Sequence, residues 1–300
     1  MTLVKKINTL LLVVAMIFMA SANIFAQQAD MQEWIEKAKQ AGISETVLTE
    51  LQNRVVNKGL SLEQAKGVMK PAISMANQNL PSEVIIQKAL EGFSKGIPGP
   101  RVLTVVEKMQ GSIQQSAQIV DPWMKKPQVQ EMVNRQKTMT KEEFRDELTT
   151  TASKSIMQNM SVEAVTEVLN EIANRSVLAK SSPPQVIAAM GILPDLPSSA
   201  DNSNASSKLI VRAVKGGFKA SDLQKLPSAM KMAQQQSELP AASVVKGVAG
   251  QMKGGIPAKQ ILQNLFNGKV GGGPPGDIPP GLKNKPDTGN KGNNQGRNGE

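Results

Sequence analysis

The chain has 300 residues, a mass of 32.1 kDa and a formal net charge of +10, and it is long enough to bury a sizeable apolar core. It contains no Cys, His or Tyr, and its aromatic residues are two Trp and six Phe. This composition excludes thiolate nucleophiles, disulfides, Cys/His zinc sites, haem-ligating histidines and Ser-His-Asp triads. The remaining carboxylates, lysines and hydroxyls form no pattern that points to a reaction. We therefore expect a protein that is not an enzyme and that binds no cofactor or metal ion.

The first residues predict export. Two lysines precede an apolar stretch over residues 10–20, which gives way to small and then polar residues. This order is typical of a secretory signal peptide, and the apolar stretch is shorter than the roughly 20 residues that cross a bilayer, which disfavours an uncleaved anchor. Cleavage after Ala26 is favoured over cleavage after Ala22. We expect residues 1–26 to be removed and the product to be periplasmic or extracellular.

The residues that follow favour helices, because they are rich in Ala, Leu, Met, Gln, Glu and Lys and show little strand alternation. Capping boxes predict helix starts at Ser61, Thr140 and Ser221. Prolines expected in the first helical turn mark further starts at Pro81, Pro98, Pro240 and Pro257. Left-handed residues that end the preceding helices are predicted at Gly42, Gly59, Asn79, Gly96 and Gly255.

These signals recur along the chain. Leu80-Pro81, Met160-Ser161 and Leu239-Pro240 are spaced by 80 and 79 residues, which indicates about three copies of a unit near 80 residues. A single amphipathic helix buries too little to hold its own conformation, so such units stack. We expect an all-α fold of tandem helical-hairpin repeats, arranged as a solenoid-like array or, alternatively, as compact bundles.

Stretches rich in Pro, Gly and polar residues set the predicted boundaries. The predicted order is a first helical unit over 27–120, a Pro-bounded linker with a short helix over 121–137, a second helical unit over 138–192, a linker over 193–207, a third, basic helical unit over 208–270 and a tail over 271–300. The tail is rich in Gly, Pro and Asn and offers little to bury, so we expect it to be disordered.

The positive charge belongs to the third unit. Residues 27–200 carry 19 Lys and Arg against 19 Asp and Glu, whereas residues 201–270 carry 10 against 3. At 100° per residue, three cations of a predicted helix fall within about 60° of arc, with apolar side chains opposite them. The ridge consists of Lys208, Arg212 and Lys215, and Lys219 could extend it past a Gly-Gly pair.

Two interpretations of this ridge stay open. It is either the solvated outer face of a packed helix or a contact site for an anionic surface. Nucleic acid ranks lowest among the anionic partners, because aromatic side chains for base stacking are nearly absent.

Methionines and carboxylates give two further candidates. Thioethers can bind Cu(I), but methionine also fills cores that lack aromatic residues, and packing is the preferred interpretation for Met69, Met75 and Met109. The carboxylates at 142, 143, 146 and 147 lie in the first turns of a predicted helix, where acids favour the helix dipole. We therefore expect them to stabilise the helix rather than to catalyse a reaction.

The most consistent functional hypothesis is an exported, non-enzymatic scaffold or adaptor whose helices bind another envelope protein. The alternative is a module that binds anionic envelope material, namely lipid headgroups, lipopolysaccharide or cell-wall polymer, through the basic third unit. Salt separates the two, because binding of a polyanion weakens steeply as ionic strength rises.

Overall fold

A computed structural model describes residues 29–57, 59–136, 139–197 and 203–271. The predicted signal peptide lies outside these residues, and so does all but the first residue of the predicted tail.

The regular secondary structure of the described residues is helical, and no strand occurs among them, which confirms the all-α class. In chain order the helices are α1 (29–40), α2 (Glu45–Val56), α3 (Leu62–Ala76), α4 (Glu83–Ser94), α5 (Gly99–Met124), α6 (Pro127–Arg135), α7 (Lys141–Met157), α8 (Val162–Ile172), α9 (Arg175–Leu178), α10 (Pro183–Ile192), α11 (Ser203–Lys215), α12 (Ala220–Ser237), α13 (Ala241–Lys253) and α14 (Ala258–Phe266). None of these helices is long and apolar enough to span a membrane.

The helices pack in two layers. In the first layer α3 contacts α5, α5 contacts α7, α7 contacts α10, α10 contacts α12, and α12 contacts α14. In the second layer α2 contacts α4, α8 contacts α11, and α11 contacts α13. Helices within this order thereby bury their apolar stripes against more than one neighbour, which a single hairpin could not provide.

The apolar core consists of two clusters that share helix α5. One cluster is formed within residues 31–117 and the other within residues 120–270. Helix α5 is 26 residues long and contributes Ile113 and Ala117 to the first cluster and Trp123 to the second. The two clusters are therefore joined through continuous helix.

The linker predicted over residues 121–137 is wrong in its first part, because α5 runs through Pro122. A proline in a helix interior loses one backbone hydrogen bond and costs about 3 kcal/mol. Burial of Trp123 offsets this cost, since its side chain is 2% exposed and its Nε1 donates a hydrogen bond to the carbonyl of Leu169 at 2.6 Å. The short helix predicted in the same segment is α6.

At the protein surface, Arg145 of α7 connects helices that belong to the two apolar clusters. Its Nε and Nη2 donate to the two carboxylate oxygens of Asp121 at 2.6 and 3.1 Å. Its Nη1 donates to the carbonyl of Asn79, after α3, at 2.5 Å and to Asp146 at 3.2 Å. The hydrogen bond with Asp121 raises the pKa of Arg145, and burial raises the pKa of Asp146. One guanidinium thus fixes α3, α5 and α7 relative to one another.

One turn recurs between the helices. A residue with positive φ ends the helix, and the N–H of the next residue donates to the carbonyl five residues before it, which is the Schellman motif. The left-handed residues of these turns are Gly42, Asn79, Gly96, Asn159, Gly217, Gly255 and Gly268. The intervals between them are unequal, so a regular unit of about 80 residues stays a prediction.

Four of the five predicted left-handed positions, Gly42, Asn79, Gly96 and Gly255, are confirmed. The prediction at the fifth, Gly59, is wrong, because Gly59 has no positive φ and its own N–H donates to the carbonyl of Arg54, five residues before it, at 2.9 Å. In the other turns this bond is made by the residue that follows the left-handed one.

Two predicted capping boxes are confirmed. The Ser61 hydroxyl accepts a hydrogen bond from the Gln64 N–H at 3.2 Å, and the Gln64 side chain accepts one from the Ser61 N–H at 2.9 Å. Thr140 and Glu143 make the same two bonds at 3.1 and 2.7 Å. Each box satisfies two backbone donors that the first turn of a helix leaves without partners.

Other helix starts are shifted by one or two residues. Ser221 is not an N-cap, because α12 begins at Ala220 and the Asp222 carboxylate accepts from the backbone N–H of Lys219 at 3.2 Å. The prolines expected in the first turn lie just before it. Pro98, Pro240 and Pro257 are the N-cap residues of α5, α13 and α14, and Pro81 precedes the N-cap Ser82 of α4.

The linker predicted over residues 193–207 is shorter than expected. Leu193–Asp195 forms a 3₁₀ turn, and Leu193 and Leu196 are buried. Helix α11 begins at Ser203 rather than at 208. The division of the chain into three units stays a prediction.

Candidate functional site

Five exposed cations lie on two helices of the second layer, and we call them the cationic face. The cationic face consists of Lys208, Arg212 and Lys215 of α11 and Lys246 and Lys253 of α13. Because α11 and α13 pack against each other, the two sets of side chains are neighbours on one surface.

Helix α11 is amphipathic, as the sequence predicts. Its cations at positions 208, 212 and 215 are exposed. The side chains on the opposite side are at most 1% exposed, namely Leu209, Ile210, Ala213 and Val214. Their burial fixes the rotation of α11 about its axis, so the cations point away from the core.

Helix α13 repeats this arrangement, which was not predicted from the sequence. Lys246 and Lys253 are seven residues apart, which places them on the same side of a helix. Val244, Val245 and Val248 on the other side are buried. The sequence of α13 has the same amphipathic pattern as that of α11, with lysines on one side and apolar residues on the other. The cations of the two helices are more than thirty positions apart in the chain, however, and only the packing of the helices brings them together.

Lys219 does not belong to the α11 ridge. Gly217 has a φ of 81° and ends α11, and Lys219 is the exposed N-cap residue of α12. The chain therefore changes direction between Lys215 and Lys219. The side chain of Lys219 is available to solvent beside the cationic face but is not on either of its helices.

None of the five cations of the cationic face forms an ion pair with a described residue. Helices α11 and α13 contain no Asp or Glu. Within described residues 203–271 no ion pair is formed, and the ion pairs of the described chain all lie between residues 30 and 146. The five side chains thus point positive charge at solvent without an ion-pair partner in the described part of the chain.

The neighbouring helix α8 carries the opposite charge. Glu163, Glu167 and Glu171, which we call the acidic ridge, recur at intervals of four on the side opposite the buried Val165 and Val168. Glu163 and Glu167 are exposed and Glu171 is half-buried. A shallow depression follows this side of α8 and is lined by Val162, Glu163, Thr166, Glu167, Asn170 and Glu171.

Two of the four carboxylates at the start of α7 have hydrogen-bond partners. Glu143 accepts the N–H of Thr140, which lowers the pKa of Glu143. Asp146 accepts a hydrogen bond from Arg145. Glu142 and Glu147 are exposed on the same helix. In the described part of the chain no cluster of three or more acidic side chains is arranged to hold a metal ion.

The methionines named above pack in the core. Met69 and Met75 are 0% exposed and Met109 is 4% exposed, all within the first apolar cluster. Flexible thioethers fill space there that aromatic rings fill in other proteins.

The chain matches no protein-family model, no curated protein sequence and no solved structure.

Proposed function

We propose that the protein is exported and acts as a non-enzymatic adaptor, in which an array of helical repeats binds a protein partner of the bacterial envelope. The observation that carries the proposal is the packing order. Each helix of the first layer meets the next helix of that layer, so the sides of successive helices add up to one extended surface. Surfaces of this kind bind partners through shape and apolar contacts along their length.

Capture from a native envelope extract tests the adaptor. The chain from residue 27 onward is immobilised, and bound protein is recovered after washes at low and at high salt. We expect a protein partner that is retained at high salt, because contacts buried in an interface are only weakly screened. The matched control replaces the five cations of the cationic face with Gln, and it should retain the same partner. Recovery of no protein at either salt concentration would contradict the proposal.

A second candidate, binding of anionic envelope material, is favoured by the cationic face. Near an anionic surface each Lys or Arg contributes on the order of 1 kcal/mol, so five residues supply about 5 kcal/mol. This energy corresponds to a dissociation constant on the order of 0.1 to 1 mM. Such binding is weak for one copy and strengthens when several copies act on one surface.

A salt titration separates this candidate from the adaptor. Flotation with phosphatidylglycerol vesicles should carry the chain at low salt and release it as the salt concentration rises. Neutral phosphatidylcholine vesicles serve as the control and should not carry it. Equal flotation with both kinds of vesicle would contradict electrostatic binding.

A further inference from the structure

The acidic ridge and the α11 part of the cationic face lie side by side on one surface. Helix α8 packs against α11, and both helices point their apolar stripes into the same cluster. On each helix the charged side chains lie opposite the buried ones, so both ridges point outward. One surface of the second layer therefore carries two charged strips side by side. The negative strip is the acidic ridge, and the positive strip consists of Lys208, Arg212 and Lys215.

The two strips also match in length. At a rise of about 1.5 Å per residue, Glu163 to Glu171 spans about 12 Å and Lys208 to Lys215 spans about 10.5 Å. Each strip presents three charges along this length. No ion pair joins the two strips within the chain, and none joins either strip to another described residue. The neighbouring Lys126 donates to Asn170 rather than to a glutamate.

We propose that a second copy of this chain docks on this surface, so that the acidic ridge of each copy faces Lys208, Arg212 and Lys215 of the other. A twofold axis that runs between α8 and α11, parallel to the surface and to the helices, exchanges the two strips. Such an interface is self-complementary, because the contact between the negative strip of one copy and the positive strip of the other occurs twice. This proposal is independent of the proposed function.

Charge complementarity selects a second copy over other occupants. A polyanion that covered both strips would be repelled by the acidic ridge, and a cationic peptide would be repelled by α11. When a second copy is rotated by 180° about the twofold axis, each of its two strips faces a strip of opposite charge and is attracted to it. Exposed ion pairs are individually weak, so the dimer is weak and depends on ionic strength.

Sedimentation velocity on the chain from residue 27 onward tests the proposal over a range of protein concentrations. We expect reversible dimers at about 20 mM NaCl, where the Debye length is about 20 Å, and a dissociation constant weakened tenfold or more at about 500 mM NaCl. Two charge reversals, Glu163→Lys/Glu167→Lys/Glu171→Lys and Lys208→Glu/Arg212→Glu/Lys215→Glu, should each give monomers at low salt.

The decisive experiment mixes the two charge-reversed variants. One variant carries two positive strips and the other two negative strips, so an equal mixture should form heterodimers. The matched control exchanges charges on α4 by Lys88→Glu/Glu91→Lys/Lys95→Glu, which preserves the local pairing and should leave dimerisation unchanged. Circular dichroism checks that every variant is folded.

The proposal is overturned if the wild-type chain stays monomeric at low salt, or if the reversed variants are folded and dimerise as the wild type does. A mixture that stays monomeric also overturns it. Failure here is distinguishable from failure of the second candidate function, because the variant reversed on α8 keeps the cationic face and should still bind anionic vesicles.

Discussion

Charges are organised differently in the two ends of the molecule. Between residues 30 and 146, six cations are paired with carboxylates at short range, namely Lys37, Lys39, Lys66, Lys88, Lys95 and Arg145. Residues 203–271 carry ten Lys and Arg, but the described chain forms no ion pair in this region. Part of the positive charge of the first region is therefore paired within the molecule, whereas the described cations of the second region form no ion pair.

The pairing in the first region has two forms. Glu91 of α4 accepts from Lys88 at 2.7 Å and from Lys95 at 2.5 Å, and both pairs lie on the exposed side of one helix. Arg145 instead joins separate helices and is about one quarter exposed. Pairs of the first kind contribute little to stability, and pairs of the second kind restrict how packed elements move.

The largest expected effect concerns the cationic face. Replacing Lys208, Arg212, Lys215, Lys246 and Lys253 with Gln should remove about 5 kcal/mol of attraction to anionic vesicles, which takes binding below detection. The free energy of unfolding should change little, since these side chains are exposed and form no ion pair with a described residue. Flotation and urea unfolding measure the two quantities. Unchanged vesicle binding would show that these cations do not form the contact.

The second effect concerns Arg145, whose hydrogen bonds join α3, α5 and α7. Replacing it with Met leaves Asp121 and the Asn79 carbonyl without their donor, and we expect a loss of about 2 to 3 kcal/mol in the free energy of unfolding. Asp121→Asn and the double variant complete a mutant cycle in urea. A loss below about 0.5 kcal/mol for Arg145→Met would mean that the guanidinium acts as an ordinary surface pair.

The third effect compares two lysine pairs of equal charge. Replacing Lys246 and Lys253 with Gln should cost about 2 kcal/mol of attraction to anionic vesicles. Replacing Lys88 and Lys95 with Gln is the matched control and should cost less, because Glu91 already neutralises part of their charge. Equal losses from the two pairs would show that internal pairing does not decide which lysines bind.

The smallest effect is a titration. Hydrogen bonds from Lys88 and Lys95 lower the pKa of Glu91 from 4.5 to about 2. A carboxylate whose folded pKa is lowered stabilises the fold above its unfolded pKa, and this contribution is lost as pH falls through about 2. Carboxyl chemical shifts followed by NMR should place the Glu91 midpoint near 2, and Lys88→Gln/Lys95→Gln should return it toward 4.5. A wild-type midpoint near 4.5 would show that these pairs do not persist in solution.

Local signals predicted local structure well. The capping boxes at Ser61 and Thr140 are set by residues three apart, and the amphipathic pattern of α11 is set within four turns. Such features depend on short-range hydrogen bonds and on the period of the helix, which the sequence displays directly. Exposure of Lys208, Arg212 and Lys215 follows from the same period.

Features that depend on packing were missed or misplaced. Pro122 predicted a break, but the buried Trp123 and its bond to Leu169, in a helix far along the chain, keep α5 helical there. Lys246 and Lys253 were missed because only the contact of α13 with α11 places them beside the ridge. Tertiary contacts override local propensity at such positions.

Lysine acetylation footprinting tests most directly whether the two regions use their cations differently. The wild-type chain from residue 27 onward is labelled at low salt and at a protein concentration low enough to keep it monomeric, with and without native envelope material, and each site is quantified by mass spectrometry. Lys208, Lys215, Lys246 and Lys253 should lose reactivity when the envelope material is present, whereas Lys37, Lys39, Lys88 and Lys95 should keep theirs. Protection that is equal in the two sets, or stronger in the second set, would contradict the assignment of the C-terminal cations to external partners.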